Sequence, residues 1–142
     1  MIKVIGTAYK RDDFTTEEFF RYWQEVHAPI SARAPGLRGY VVSEVVRKLE
    51  GGELEADAFV EQWFDDEAAM ERASASPEVE AAWADVPKYA KMTGTWWVTR
   101  EHVYIPPPIT GPGTLSRQAW LAISMSPYQA ITWRPRRQSG SP

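Results

Sequence analysis

Residues 14–30 read Phe14-Thr15-Thr16-Glu17-Glu18-Phe19-Phe20-Arg21-Tyr22-Trp23-Gln24-Glu25-Val26-His27-Ala28-Pro29-Ile30. Thr15 is a candidate N-cap, and Glu18, three residues on, completes a capping box. Phe14 and Phe19 hold the two positions of a hydrophobic staple. Glu17 and Glu18 suit the positive end of a helix dipole. At about 100° per residue, Phe19, Trp23, Val26, Ile30 and Ala34 fall on one stripe, and Glu18, Arg21, Gln24 and Glu25 fall away from it. Pro29 lacks the N–H that a helix needs, so the helix is expected to loosen there. Pro35-Gly36 stops it.

The neighbouring segments alternate in type. Ile2 to Lys10 is rich in β-formers and reads as a strand. Leu37 to Leu49 reads as a second strand, with Tyr40, Val41, Val42, Val45 and Val46. Gly51-Gly52 permits a tight reversal, and Ala56 to Phe64 is a third strand. Asp65-Asp66-Glu67 opens a short helix through about Ala75. Ser76-Pro77 restarts a helix, with Ser as cap and Pro at the first position; Val79, Ala82, Trp83 and Val86 line its buried face. Met92 to Tyr104 reads as the last strand. The order is β-α-β-β-α-β, an α+β ferredoxin-like unit with an antiparallel sheet and both helices on one face. The other face carries large apolar side chains. A second copy packed sheet to sheet would cover them, so a homodimer is expected.

The chain has 142 residues, a net charge of −3, 44% hydrophobic and 25% charged residues, which suits one ordered domain. No apolar run is long enough to span a bilayer, and the start, MIKVIGTAYKRDD, has no signal-peptide pattern. Membrane partners are not expected, and a cytoplasmic protein is. Cysteine is absent, which excludes disulfides, thiolate nucleophiles and Cys-ligated metal. Residues 1–104 hold 12 Lys and Arg against 19 Asp and Glu, a balance of −7. That disfavours nucleic acid. Residues 105–142 carry +4 and seven of the eleven prolines. The expected division is a domain at 1–104 and a basic, Pro-rich arm at 105–142. The arm holds Trp120, Leu121, Ile123, Met125, Tyr128, Ile131 and Trp133, too much apolar surface for a solvated tail. It is expected to lie against the body or a partner subunit.

His27 is the sharpest candidate for chemistry. It lies at the edge of the apolar stripe, about 80° from Phe19, toward the cleft between helix and sheet. A partly desolvated imidazole suits general acid or base work; the competing reading is a histidine that shapes the loop. Glu61 and Trp63 share one strand face and Val60, Gln62 and Phe64 the other, one facing the cleft and one the dimer partner. A buried Glu61 would pair with His27 and tune it; an interface glutamate is the alternative. Trp23, Tyr40, Trp63, Trp83 and Tyr89 are candidate walls for a flat substrate, with core packing the alternative for each. His27 and His102 alone, without paired carboxylates, make no metal set. Ser31, Ser74 and Ser76 lie in no nucleophile elbow. No phosphate loop is present.

Taken together, the stretch Phe14 to Pro29, Tyr9-Lys10-Arg11 before it, Pro35-Gly36-Leu37-Arg38-Gly39-Tyr40 and Glu61-Gln62-Trp63-Phe64-Asp65-Asp66 resemble the EthD-like proteins of the dimeric α/β-barrel superfamily. The resemblance covers roughly residues 2–104. It implies a ferredoxin-like domain with a pocket between sheet and helices, and chemistry without a cofactor. The function expected from it is an acid/base lyase, decarboxylase, cyclase or isomerase acting on a hydrophobic aromatic or polyketide-like molecule, with His27 moving the proton. A cofactor-free monooxygenase of phenolic polyketides and a non-catalytic small-molecule-binding barrel are the alternatives.

Overall fold

In the structure, a computed structural model that describes residues 1–108, the chain runs β1 (Ile2–Ala8), α1 (Thr16–Tyr22), a π turn (Trp23–His27), α2 (Ala28–Ser31), β2 (Gly39–Glu44), β3 (Ala58–Phe64), α3 (Glu67–Ser74), α4 (Pro77–Asp85), a 3-10 turn (Val86–Lys88) and β4 (Trp96–Thr99). The four strands form one antiparallel sheet in the order β2-β3-β1-β4. This is the ferredoxin-like arrangement expected from the element order. Residues Met1–His102 form one compact unit. The arm from residue 109 onward lies outside the described residues.

The starts of α1, α3 and α4 are capped as their residues dictate. Thr15 Oγ1 accepts the Glu18 N–H at 3.1 Å while Glu18 Oε2 accepts the Thr15 N–H at 2.8 Å, a closed capping box. Asp66 caps α3 through the Ala69 N–H, and Ser76 caps α4 through the Val79 N–H with Pro77 following.

The first helix does not keep one period. The Ala28 N–H bonds to the Trp23 carbonyl, five residues back. Pro29 has no N–H, and its ring crowds the carbonyl four residues earlier, so the ladder widens just before it. The wider turn moves the buried stripe one position along the chain. Trp23, His27 and Ser31 are buried, whereas Val26, expected inside, is 38% exposed and Ile30 is only half-buried.

Two strands are shorter than their composition suggests. β2 ends at Glu44 rather than Leu49, and Val45 makes the last pairing contact, with Asp57. Gly51 and Gly52, both at positive φ, therefore turn a longer excursion and not a tight hairpin. β4 spans four residues, paired with β1 from Gly6 to Lys3. Gly94, just before β4, has no room for a side chain: a Cβ there would land on the Thr7 carbonyl oxygen, well inside van der Waals contact. Gly94→Ala is expected to push β4 off β1 at a cost of about 1–3 kcal/mol. Thermal unfolding checks this; a drop of roughly 4–8 °C per kcal/mol is the scale for a domain of this size.

Strand alternation sorts the sheet into two faces. Val4, Ala8, Tyr40, Val42, Val60 and Phe64 face the helices. One core cluster gathers Ala8, Phe19, Trp23, Ala58, Val60, Tyr89 and Ala90, and a second gathers Ile2, Phe64, Ala69 and Ala73. The opposite face carries Lys3, Ile5, Val41, Phe59, Glu61, Trp63 and Trp97.

Candidate active site

A cavity of about 450 Å³ opens between the sheet and the helices. His27, Ser31 and Trp23 enter it from the first helix, Tyr40 from β2, Trp83 from α4 and Tyr89 from the segment after the 3-10 turn. Five of the expected site residues thus converge there: His27, Trp23, Tyr40, Trp83 and Tyr89. Trp83, expected on the buried side of α4, is 43% exposed and sits at the rim, its ring edge against Trp96 at 5.5 Å.

Glu61 and Trp63 do not join them. The register pairs Glu61 with Ile5 and Trp63 with Lys3, which puts both on the sheet face away from the helices. There Glu61 and Glu101 bind Lys3 Nζ at 2.6 and 2.8 Å, and the Trp63 indole donates to Glu101. The expected pairing of Glu61 with His27 is not formed. The reason is the period of two along β3: Val60, Gln62 and Phe64 take the helix side.

The carboxylate that reaches His27 is Asp85, at the end of α4. Its Oδ2 lies 3.0 Å from His27 Nδ1, and both residues are buried. Its Oδ1 accepts the Tyr22 hydroxyl at 2.8 Å and the Lys88 ammonium at 3.1 Å. These donors outweigh the cost of burial and hold the Asp85 carboxyl below the usual carboxylate range. An ionised Asp85 accepts a hydrogen bond from the Nδ1–H of His27, which leaves Nε2 as the acceptor. Burial lowers the His27 pKa from its ordinary value, against the opposing pull of Asp85. The imidazole is therefore neutral at pH 7. Nε2 faces the Ser31 hydroxyl at 3.0 Å.

Aromatic rings enclose the imidazole. Tyr89 lies 4.9 Å from its centroid and Trp23 5.8 Å. The Trp23 indole donates to the Tyr40 hydroxyl at 2.6 Å. Burial pushes the Tyr40 phenol up, so it stays protonated, and its own proton remains to be donated.

Asp85 and Ser31 were not among the expected site residues. Both had a signal. Asp85 stands three residues after Ala82 on the apolar side of α4, where an acid needs a partner. Ser31 stands four residues after His27, one turn on along the same helix. Among the described residues no group of three His, Asp or Glu gathers as a metal site, and no helix is long and apolar enough to cross a membrane.

A ferredoxin-like α+β domain with a histidine-bearing cavity between sheet and helices is the class these features define. The sequence matches the EthD domain over residues 11–93, and the chain belongs to that family. Among solved structures, an EthD family protein from Bacillus halodurans is 26% identical, with a TM-score of 0.61 over 72% of this chain and 99% of that one. SnoaB, a cofactor-independent oxygenase from Streptomyces nogalater, shares the fold at 15% identity and a TM-score of 0.52, over 75% of this chain and 97% of its own. A dimeric ferredoxin-like protein from Bacteroides fragilis does so at 18% identity and 0.51, over 70% and 95%. No curated protein matches the sequence.

Proposed function

We propose that this chain is a cofactor-independent acid/base enzyme in which His27 removes a proton from a hydrophobic aromatic or polyketide-like small molecule. The observation that carries the reading is the His27 imidazole at the cavity wall, with Asp85 Oδ2 3.0 Å from Nδ1 and the Ser31 hydroxyl 3.0 Å from Nε2. An acidic C–H or O–H of the substrate competes with the Ser31 hydroxyl for that lone pair. As Nε2 takes the proton, Asp85 stabilises the imidazolium. The Tyr40 hydroxyl is a donor for the oxygen on which negative charge builds. Trp23, Trp83 and Tyr89 supply flat apolar walls. Return of the proton at another atom gives an isomerase or cyclase; loss of a group gives a lyase or decarboxylase.

A second reading shares the first step. A phenol ionised by His27 would pass electrons to dioxygen without a cofactor. The aromatic walls beside the base favour it, as does the fold held in common with SnoaB. Anthrone tests both. In deuterated buffer under nitrogen, exchange of its C10 proton, followed by NMR, reads proton abstraction. Oxygen uptake in air reads the second reading. Equal exchange by the wild type and His27→Gln would overturn the assignment of the base.

The reading includes a homodimer. On the outer face Val41, Phe59 and Trp97 are 45%, 37% and 46% exposed around Ile5, a patch that a second sheet would cover. Light scattering is expected to return twice the chain mass of 16.1 kDa, with an interface above about 1,000 Å². Phe59→Glu is expected to give monomers. A wild-type monomer at micromolar concentration would refute the dimer.

A further inference from the structure

Ser31 is buried and lines the cavity, and its hydroxyl stands 3.0 Å from His27 Nε2. Asp85 holds the other ring nitrogen, also at 3.0 Å. With the Nδ1 proton directed at Asp85, Nε2 has only a lone pair to offer, so Ser31 is the donor in that contact. We infer that Ser31 is a nucleophile and that this cavity supports acyl transfer from a hydrophobic ester, a reaction separate from the proton abstraction proposed above.

The three side chains hold the roles of a hydroxyl, an imidazole base and an orienting carboxylate. No strand-to-helix elbow is involved. The helix itself aligns them, because Ser31 follows His27 by four residues and the π turn places both on the cavity side. Asp85 arrives from a different helix. A donor for the carbonyl oxygen is at hand: Tyr40 lines the same cavity, accepts the Trp23 N–H and keeps its own proton to give. The aromatic lining favours an apolar acyl or aryl group over a charged one.

In the first half-reaction Ser31 Oγ attacks the ester carbonyl carbon while its proton passes to His27 Nε2. The C=O π electrons move onto oxygen, which accepts a hydrogen bond from the Tyr40 O–H. The intermediate collapses, the bond to the alcohol oxygen breaks, and that oxygen takes the proton from Nε2. In the second, water gives a proton to Nε2 as it attacks the acyl carbon. The acid leaves, and Ser31 Oγ recovers the proton. No electrons are gained or lost overall.

The test uses the full chain and p-nitrophenyl butyrate. A burst of about one p-nitrophenol per chain is expected, together with a mass increase of one butyryl group that peptide fragmentation maps to Ser31. Ser31→Ala is expected to lose both burst and adduct. Ser31→Cys is expected to carry the adduct at the same position as a thioester; the butyryl mass on Ser31 of the wild type is the readout that a merely structural serine would not give. His27→Gln is expected to slow acylation by about 10²–10⁴-fold. No adduct, an adduct on another residue, or equal labelling of Ser31→Ala would overturn the inference. Anthrone exchange reads the base alone. Lost acylation with His27-dependent exchange removes the nucleophile only, whereas exchange that does not depend on His27 removes the base.

Discussion

His27→Gln is expected to slow anthrone C10 exchange by about 10²–10⁴-fold, the usual worth of a positioned acid/base group. The fold is expected to survive. Glutamine keeps an amide donor for Asp85 and an acceptor for Ser31, so neither buried partner is stranded. Circular dichroism and a melting curve check that point. The pH dependence is expected to carry the same signature. Burial lowers the His27 pKa, so exchange should hold steady near neutrality and fall on the acid side with a midpoint below about 6.5. Stability follows the same sign. As pH drops through about 6.5 the unfolded chain binds a proton at this position before the folded chain does, so the wild type loses stability toward acid. His27→Gln lacks that component and is expected to lose less between pH 7 and 5. A parallel loss in both proteins would mean that His27 is not held neutral by its surroundings.

Asp85→Asn is expected to cost nearly as much activity, by a different route. Tyr22 and Lys88 both donate to Oδ1. In the amide they claim the single remaining oxygen, which turns the NH₂ group toward His27 Nδ1. An N–H there forces the imidazole proton onto Nε2, and the base then has no lone pair facing the cavity. Loss of a carboxylate in this role reduces rates by up to about 10⁴-fold in hydroxyl–imidazole–carboxylate sites. The charge-assisted bonds lost with the carboxylate cost about 1.5–3 kcal/mol of stability each at most. The Lys88 bond counts least, because Lys88 is largely exposed. Imidazole nitrogen NMR shifts report the tautomer. If Asp85→Asn keeps the proton on Nδ1 and still exchanges anthrone at the wild-type rate, Asp85 is only a packing partner.

Much of the fold was readable in the chain because its signals are local. The capping box at Thr15 and Glu18, the caps Asp66 and Ser76, and the stop at Pro35-Gly36 act over three or four residues. The order of strands and helices follows from them. His27 stood out for the same kind of reason, as a histidine on a capped helix close to Pro29. Tertiary structure decided what depends on distant chain segments. Whether Glu61 or Val60 faced the helices rested on pairing with β1, and an alternating strand reads equally well either way round. The partner of His27 is 58 residues away, on another helix, and no local pattern ties Asp85 to it. The stripe ran through His27 and Ser31 instead of Val26 and Ile30 because Pro29 widened one turn. The sequence by itself determined where the helix was weak. Packing against Tyr89 and Asp85 determined which side chains the weakened turn buried.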